Sequence, residues 1–167
     1  STQSRSSAAS DVYKRQLSEV EADILVKISR GNIHNARMLS SQSIEDIMNT
    51  IEKLTTTVIG KDPQKWRDFI SYYSRVFNAS QLDFDRQLNL IIIWLQGANK
   101  LRQNLVSGFE RTGLHSRMIS FNEKFPNANI YKIILCIEEV KALARQNLYM
   151  PLILLNMLLD IQELIYE

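Results

Sequence analysis

Residues that interrupt helices are scarce in this sequence. Only five glycines and three prolines occur among 167 residues. No stretch shows the alternation of apolar and polar residues that is typical of a half-buried strand, so the sequence predicts an all-α protein. Long apolar runs are also lacking. The longest, residues 90–95, is far too short for a transmembrane helix, and no membrane partner is expected.

Reactive side chains are equally few. Cys136 is the single cysteine, which excludes an internal disulfide and favours a reducing compartment such as the cytoplasm. The two histidines, His34 and His115, have no partner at metal-ligand spacing, and no phosphate loop of the form G-x-x-x-x-G-K-[ST] occurs. We therefore expect no catalytic residue, metal or cofactor. Cys136 is interpreted as a small core or boundary residue, since no neighbour in the sequence would lower its pKa.

The first sixteen residues have no apolar period. Residues 6–16, SSAASDVYKRQ, resemble the translation of a transposon adapter used to prepare DNA for sequencing, and all eleven positions match. The resemblance implies that residues 1–16 are a non-native segment, which we expect to be disordered. It also implies that the natural protein is longer, because its own sequence upstream of Leu17 has been replaced.

The same segment carries the positive excess of the chain. The net charge of the whole sequence is +2, and residues 1–16 hold Arg5, Lys14 and Arg15 against Asp11. The remaining residues are therefore neutral. A neutral chain without clustered Lys and Arg is a poor candidate for direct binding to a phosphate backbone.

Apolar residues recur at helical spacing through the rest of the chain. The predicted helices are residues 18–30, 32–40, 43–59, 63–77, 83–103, 118–125, 129–145 and 151–166. Asp62 as cap and Pro63 as first residue mark one start clearly. The helix at 83–103 has a wide apolar face, which predicts a central position in a bundle. Residues 105–116 are predicted to be the least ordered part after residue 16.

The segment ISRGNIHNARMLSSQ, residues 28–42, joins the first two predicted helices. It resembles the lid of AAA+ ATPases, where a glycine and a small polar residue open the helix that carries the sensor-2 arginine. Gly31 and Asn32 match that opening, and His34 stands at the arginine position. An imidazole does not supply the planar, permanent charge of a guanidinium, so the resemblance implies a degenerate nucleotide position. The alternative is an ordinary helix–glycine–helix turn.

Two further stretches extend the resemblance: WRDF at residues 66–69 and RQNLYMPLILLNMLLDIQELI at residues 145–165. With the lid motif, they resemble the C-terminal part of bacterial clamp-loader delta-prime subunits of DNA polymerase III. The resemblance implies the end of a AAA+ lid at residues 17–42 and a helical collar domain at residues 43–167. It also implies a non-catalytic role, in which the collar holds clamp-loader subunits in a hetero-oligomeric ring. DNA and the sliding clamp would be met only through that complex.

Two other functions stay open. The chain could be a fragment of an ATP-hydrolysing gamma-type clamp-loader subunit, which an upstream phosphate loop would favour. It could also be an unrelated helical adaptor, which an upstream sequence without a AAA+ domain would favour.

A collar helix has to supply its own core and still present apolar surface to a neighbour. In the last helix, the predicted inward set is Leu152, Leu155, Leu158, Leu159 and Ile161. Ile153, Leu154 and Met157 lie off that stripe, and we predict that they form an exposed subunit interface. Leu90, Ile93 and Trp94 lie off the stripe of the helix at 83–103, where a fully buried central helix explains them equally well.

Overall fold

The computed structural model describes residues 19–29, 44–146 and 148–166. Across these ranges the regular elements are all helical and no strand occurs, which confirms the predicted all-α class. The elements are α1 (Glu19–Ser29), α2 (Ile44–Ile59), α3 (Pro63–Ala79), α4 (Gln81–Arg102), α5 (Gly113–Lys124), α6 (Ile130–Leu143), a 3-10 turn (Ala144–Gln146) and α7 (Met150–Tyr166). None of the helices in those ranges has both the length and the apolar content that crossing a bilayer requires.

The chain divides into two compact units, residues 1–47 and 48–167. In the first unit, α1 carries Ile24, Leu25 and Ile28 buried on one face, at the spacing that the sequence predicts. The predicted helix at 32–40 lies outside the described residues. The AAA+ lid and its boundary after residue 42 therefore stay predictions.

Helix α4 forms the centre of the larger unit. It packs against α3, α5 and α6, while α7 packs against α6 and α3. All six residues from 90 to 95 are buried, so this helix has apolar neighbours around most of its circumference. The Trp94 ring meets the Phe121 ring of α5 edge-on, with 5.4 Å between the ring centroids. The predicted central position of α4 is confirmed.

Local sequence sets the ends of α3 and α4. The Asp62 carboxylate accepts hydrogen bonds from the backbone N–H groups of Gln64 and Lys65, with Pro63 as the first helical residue, as predicted. Ser80 ends α3 with its own N–H and begins α4 by accepting the N–H of Asp83. A single residue therefore separates the two helices, which fixes α4 beside α3.

Other helices complete the carboxyl end of α2. Gln162 of α7 is buried, and its amide nitrogen donates to the carbonyl oxygens of residues 58–60 at 3.1–3.3 Å. The indole nitrogen of Trp66 on α3 donates to the Gly60 carbonyl at 2.9 Å. The last carbonyls of a helix have no partner within it, so these bonds supply a tertiary cap. They hold α2, α3 and α7 together at one point.

The connection between α4 and α5 differs from the prediction. Helix α5 begins at Gly113, five residues before the predicted start at 118. Within the preceding loop, Ser107 and Phe109 are buried, although residues 105–116 are predicted to be poorly ordered. A Cβ atom at Gly97 of α4 would lie 3.5 Å from the Phe109 ring and 2.8 Å from the Met118 methyl group. Glycine at this position therefore leaves room for the Met118 side chain of α5 against α4.

Arg102, the last residue of α4, joins this helix to the segment after α5. Its Nε donates to the Asn122 side-chain oxygen at 2.8 Å, and Nη1 donates to the Ala128 carbonyl at 2.6 Å. Nη2 donates to the Phe125 carbonyl. Asn122 in turn donates to the Ala98 carbonyl at 2.8 Å. This network satisfies the carboxyl end of α5 and the turn that leads into α6.

Candidate association surface

The last helix carries apolar residues on two opposite sides. Its buried side is formed by Met150, Leu154, Met157, Leu158, Ile161, Gln162 and Ile165. On the other side, Leu152, Leu155 and Leu159 are 54%, 37% and 48% exposed, respectively. These three residues, here called the leucine stripe, stand at i, i+3 and i+7, which places them along one side of the helix. The stripe is apolar surface that the bundle leaves open.

The structure corrects the predicted interface residues. Leu154 and Met157 are 0% and 1% exposed, so they belong to the core and not to the surface. Ile153 is half-buried at the edge of the helix. The apolar surface predicted for α7 exists, but different residues form it. Leu152, Leu155 and Leu159 were predicted to face inward and face outward instead.

The error has a physical cause. Apolar residues surround α7 on nearly all sides, so their spacing alone does not determine which side meets the core. The polar residues of the helix held a better signal, since Asn156, Asp160 and Glu163 all lie on its exposed side. Gln162 is polar yet buried, because it caps α2. That contact comes from the tertiary structure and could not be read from the helix alone.

Helix α6 lies beside α7 and runs in the opposite direction. The Asn129 N–H at the start of α6 donates to the Leu164 carbonyl near the end of α7, at 3.0 Å. Tyr131 and Leu135 of α6 are exposed. These two side chains place further apolar surface on the helix adjacent to the leucine stripe.

Cys136 lies on α6 and is half-buried. Burial, followed by the negative charges of Asp160 and Glu139, raises the pKa of its thiol to about 11. A thiol in this environment is a weak nucleophile near neutral pH. The structure therefore supports the interpretation of Cys136 as a boundary residue.

We expect Cys136 in the folded chain to react with iodoacetamide at pH 7.5 roughly tenfold or more slowly than in the urea-unfolded chain, because less of it is thiolate. The rate should rise as the pH approaches the raised pKa of about 11. Mass spectrometry of quenched samples measures both rates. Equal rates in the folded and unfolded chains would contradict the raised pKa.

The loop before α5 brings together a serine, a glutamate and a histidine whose proximity is not evident from the sequence. The buried Ser107 hydroxyl donates to the Glu110 carboxylate at 2.9 Å and lies 3.4 Å from the Nδ1 atom of His115. Burial alone would raise the pKa of Glu110. Hydrogen bonds from its own N–H, the Gly108 N–H and the Ser107 hydroxyl outweigh that effect and lower this pKa to about 2.

This cluster is not built as a catalytic triad. The Glu110 carboxylate accepts a hydrogen bond from the serine hydroxyl and not from the histidine, so the order of a triad, in which the acid orients the histidine, is not the one seen here. The Ser107 oxygen also accepts the N–H of Phe109, and Gly108 between them has φ of 87°. The cluster therefore fixes a left-handed turn that directs Phe109 into the core.

Two further features of the described ranges concern metal ions and small ligands. These ranges contain no group of three or more His, Cys, Asp or Glu side chains that could hold a metal ion. An apolar cavity that includes Thr55, Trp94 and Ile161 in its lining has space for about one water molecule, far less than a ligand pocket needs. The predicted sensor-2-like residues Gly31, Asn32 and His34 lie outside the described residues.

Comparison of the chain with protein-family models, with curated proteins and with solved structures finds no match. The surface of α6 and α7 and the resemblance of the sequence to clamp-loader subunits are therefore the two grounds on which a function can be argued.

Proposed function

We propose that this chain acts as a non-catalytic association module. In the specific form of the proposal, it is a fragment of a clamp-loader subunit of the delta-prime type, joined to neighbouring subunits through its helical collar. The observation that carries the proposal is the exposed leucine stripe on α7. The work of such a module is to bury apolar surface against a partner, which requires no reacting side chain.

The hydrophobic core of the bundle does not depend on the leucine stripe. Helix α7 supplies the core from its other side, where Leu154, Leu158 and Ile161 are 0% exposed. Single exposed leucines are ordinary, but three aligned on one helix form a continuous apolar strip along α7. Surfaces of this kind mark sites where proteins associate.

The sequence resemblance supplies the identity of the partner. Residues 28–42 and 145–165 resemble the lid and the final collar helix of delta-prime subunits. On this basis the partners are the other clamp-loader subunits, and the role is to support loading of the sliding clamp during DNA replication. The final collar helix in that resemblance is the helix that carries the leucine stripe.

We expect the full chain to associate with bacterial clamp-loader ATPase subunits, and Leu155→Glu to weaken that association at least tenfold, or about 1.4 kcal/mol or more. A carboxylate in the middle of the stripe would have to be desolvated on binding. Light scattering coupled to size-exclusion chromatography measures the assembly. Ile119→Glu on α5 is the matched control, since Ile119 is also an exposed apolar residue.

The possible outcomes distinguish the general proposal, an association module, from the specific one, a clamp-loader subunit. Equal association of wild type and Leu155→Glu would show that the stripe is not the interface. A wild-type chain that stays apart from the ATPase subunits would contradict the clamp-loader assignment and favour an unrelated helical adaptor. Loss of helical circular dichroism in Leu155→Glu would contradict the exposed position of this residue.

A further inference from the structure

We infer that the leucine stripe binds an amphipathic helix whose apolar seam is flanked by Lys or Arg side chains. This inference rests on the proposed function, because it describes the partner surface of the same association module. It commits to the chemistry of one occupant: a helix that is apolar along its centre and basic along its edge.

The spacing of the stripe indicates that the occupant is helical. Leu152, Leu155 and Leu159 stand at i, i+3 and i+7, the positions at which one helix contacts a second helix along a seam. Tyr166 continues the spacing seven residues after Leu159 and is also exposed. An added β-strand is a poor occupant, because the described part of the chain contains no strand whose edge could pair with it.

On α7 itself, the charged side chains are of one sign. Helix α7 has no Lys, Arg or His, and its two ionisable acids, Asp160 and Glu163, are both exposed. Glu163 follows Leu159 by four residues, which places it on the side that carries the stripe, and Asp160 is exposed at the edge of that side. The ionised edge of this surface on α7 is therefore purely acidic.

Helix α6 adds to the same edge. Glu139 is exposed, and both Glu139 and Asp160 act electrostatically on Cys136, which places the two carboxylates around one residue of α6. Glu138 is different, because its carboxylate lies 3.0 Å from the Lys141 ammonium and is already paired. Glu139, Asp160 and Glu163 thus form an acidic rim for the leucine stripe.

Cations lie near both ends of this surface, and Arg145 is exposed in the 3-10 turn that precedes α7. The Lys61 ammonium lies 3.5 Å from the ring centroid of Tyr166, at the end of α7. Lys132 is exposed at the start of α6, which lies beside the same end. A basic edge on the partner would therefore lie opposite Asp160 and Glu163, in the second half of α7, where the ionisable side chains of the helix are acidic.

Two synthetic helical peptides test the inference. Both carry leucines at a and d positions, and the flanking e and g positions are all lysine in one peptide and all glutamate in the other. Like charges on the flanks keep each peptide from pairing with itself. We expect the full chain to bind the lysine peptide at least tenfold more tightly than the glutamate peptide by fluorescence anisotropy. The difference should shrink as salt rises from about 0.05 to about 0.5 M.

Variants of the chain assign the preference to named residues. The double substitution Asp160→Lys, Glu163→Lys should reverse the preference, so that the glutamate peptide binds more tightly. Glu123→Lys is the matched control, an exposed acid on α5 whose reversal should leave the preference unchanged. Leu155→Glu should abolish binding of the lysine peptide.

Several results would overturn the inference. Equal binding of the two peptides would remove the charge requirement and leave the stripe as an apolar surface only. A lysine preference that survives the double reversal would place the acidic contact elsewhere. Failure of the lysine peptide to bind at all would reject a basic helix as the occupant. None of these results depends on clamp-loader subunits, so they are separable from failure of the proposed function.

Discussion

Leu154→Ala should lower the free energy of unfolding by about 2–5 kcal/mol, whereas Leu155→Ala should lower it by about 1 kcal/mol or less. The two leucines are adjacent in the sequence, but Leu154 is 0% exposed and Leu155 is 37% exposed. Truncation of the first leaves a cavity between packed helices. Truncation of the second removes atoms that already touch solvent.

Urea unfolding followed by circular dichroism measures both values, and the denaturant dependence should stay similar in the two variants. The paired design cancels differences in helix propensity, because both substitutions are leucine to alanine in the same helix. Similar losses in both variants would show that the buried and exposed sides of α7 are assigned wrongly. They would also remove the basis for the leucine stripe.

Arg102→Ala should lower the free energy of unfolding by about 3 kcal/mol, because hydrogen bonds from a charged donor contribute more than neutral ones. The guanidinium serves three acceptors: the Asn122 side chain and the carbonyls of Phe125 and Ala128. A lysine carries the same charge but lacks the planar fork, so Arg102→Lys should recover only part of the loss.

Arg111→Ala is the control for this prediction, since Arg111 is an exposed arginine in the nearby loop and its removal should cost about 0.5 kcal/mol or less. Hydrogen exchange localises the effect. The amides of residues 125–130 should lose protection in Arg102→Ala before the rest of the bundle does. An Arg102→Ala variant as stable as Arg111→Ala would show that the network contributes little.

Much of the fold is predictable from local sequence. Asp62 with Pro63 starts α3, and the wide apolar face of residues 83–103 indicates a central helix. Both follow from rules that act within a few residues: capping of free N–H groups, the fixed φ of proline and the 3.6-residue period. The clamp-loader resemblance, by contrast, stays a prediction, and its key positions Gly31 and His34 lie outside the described residues.

The candidate surface was only half predictable. The excess of apolar residues in the last helix indicated that some would remain outside the core, and this was right. Which residues remain outside depends on the angle at which α7 meets α3 and α6, and composition does not determine that angle. The positions of Asp160 and Glu163 in the sequence could have indicated which side of α7 faces solvent.

The sequence by itself determined that this protein is helical, where α3 starts and that α4 is central, because these properties depend on contacts between near neighbours in the chain. Only the tertiary structure decided that Gln162 is buried as a cap for α2 and that Arg102 donates hydrogen bonds to the carbonyls that follow α5. It also decided that Leu155 faces outward and that Leu154 does not. Each of these depends on groups distant in the sequence, whose partners exist only once the helices have packed.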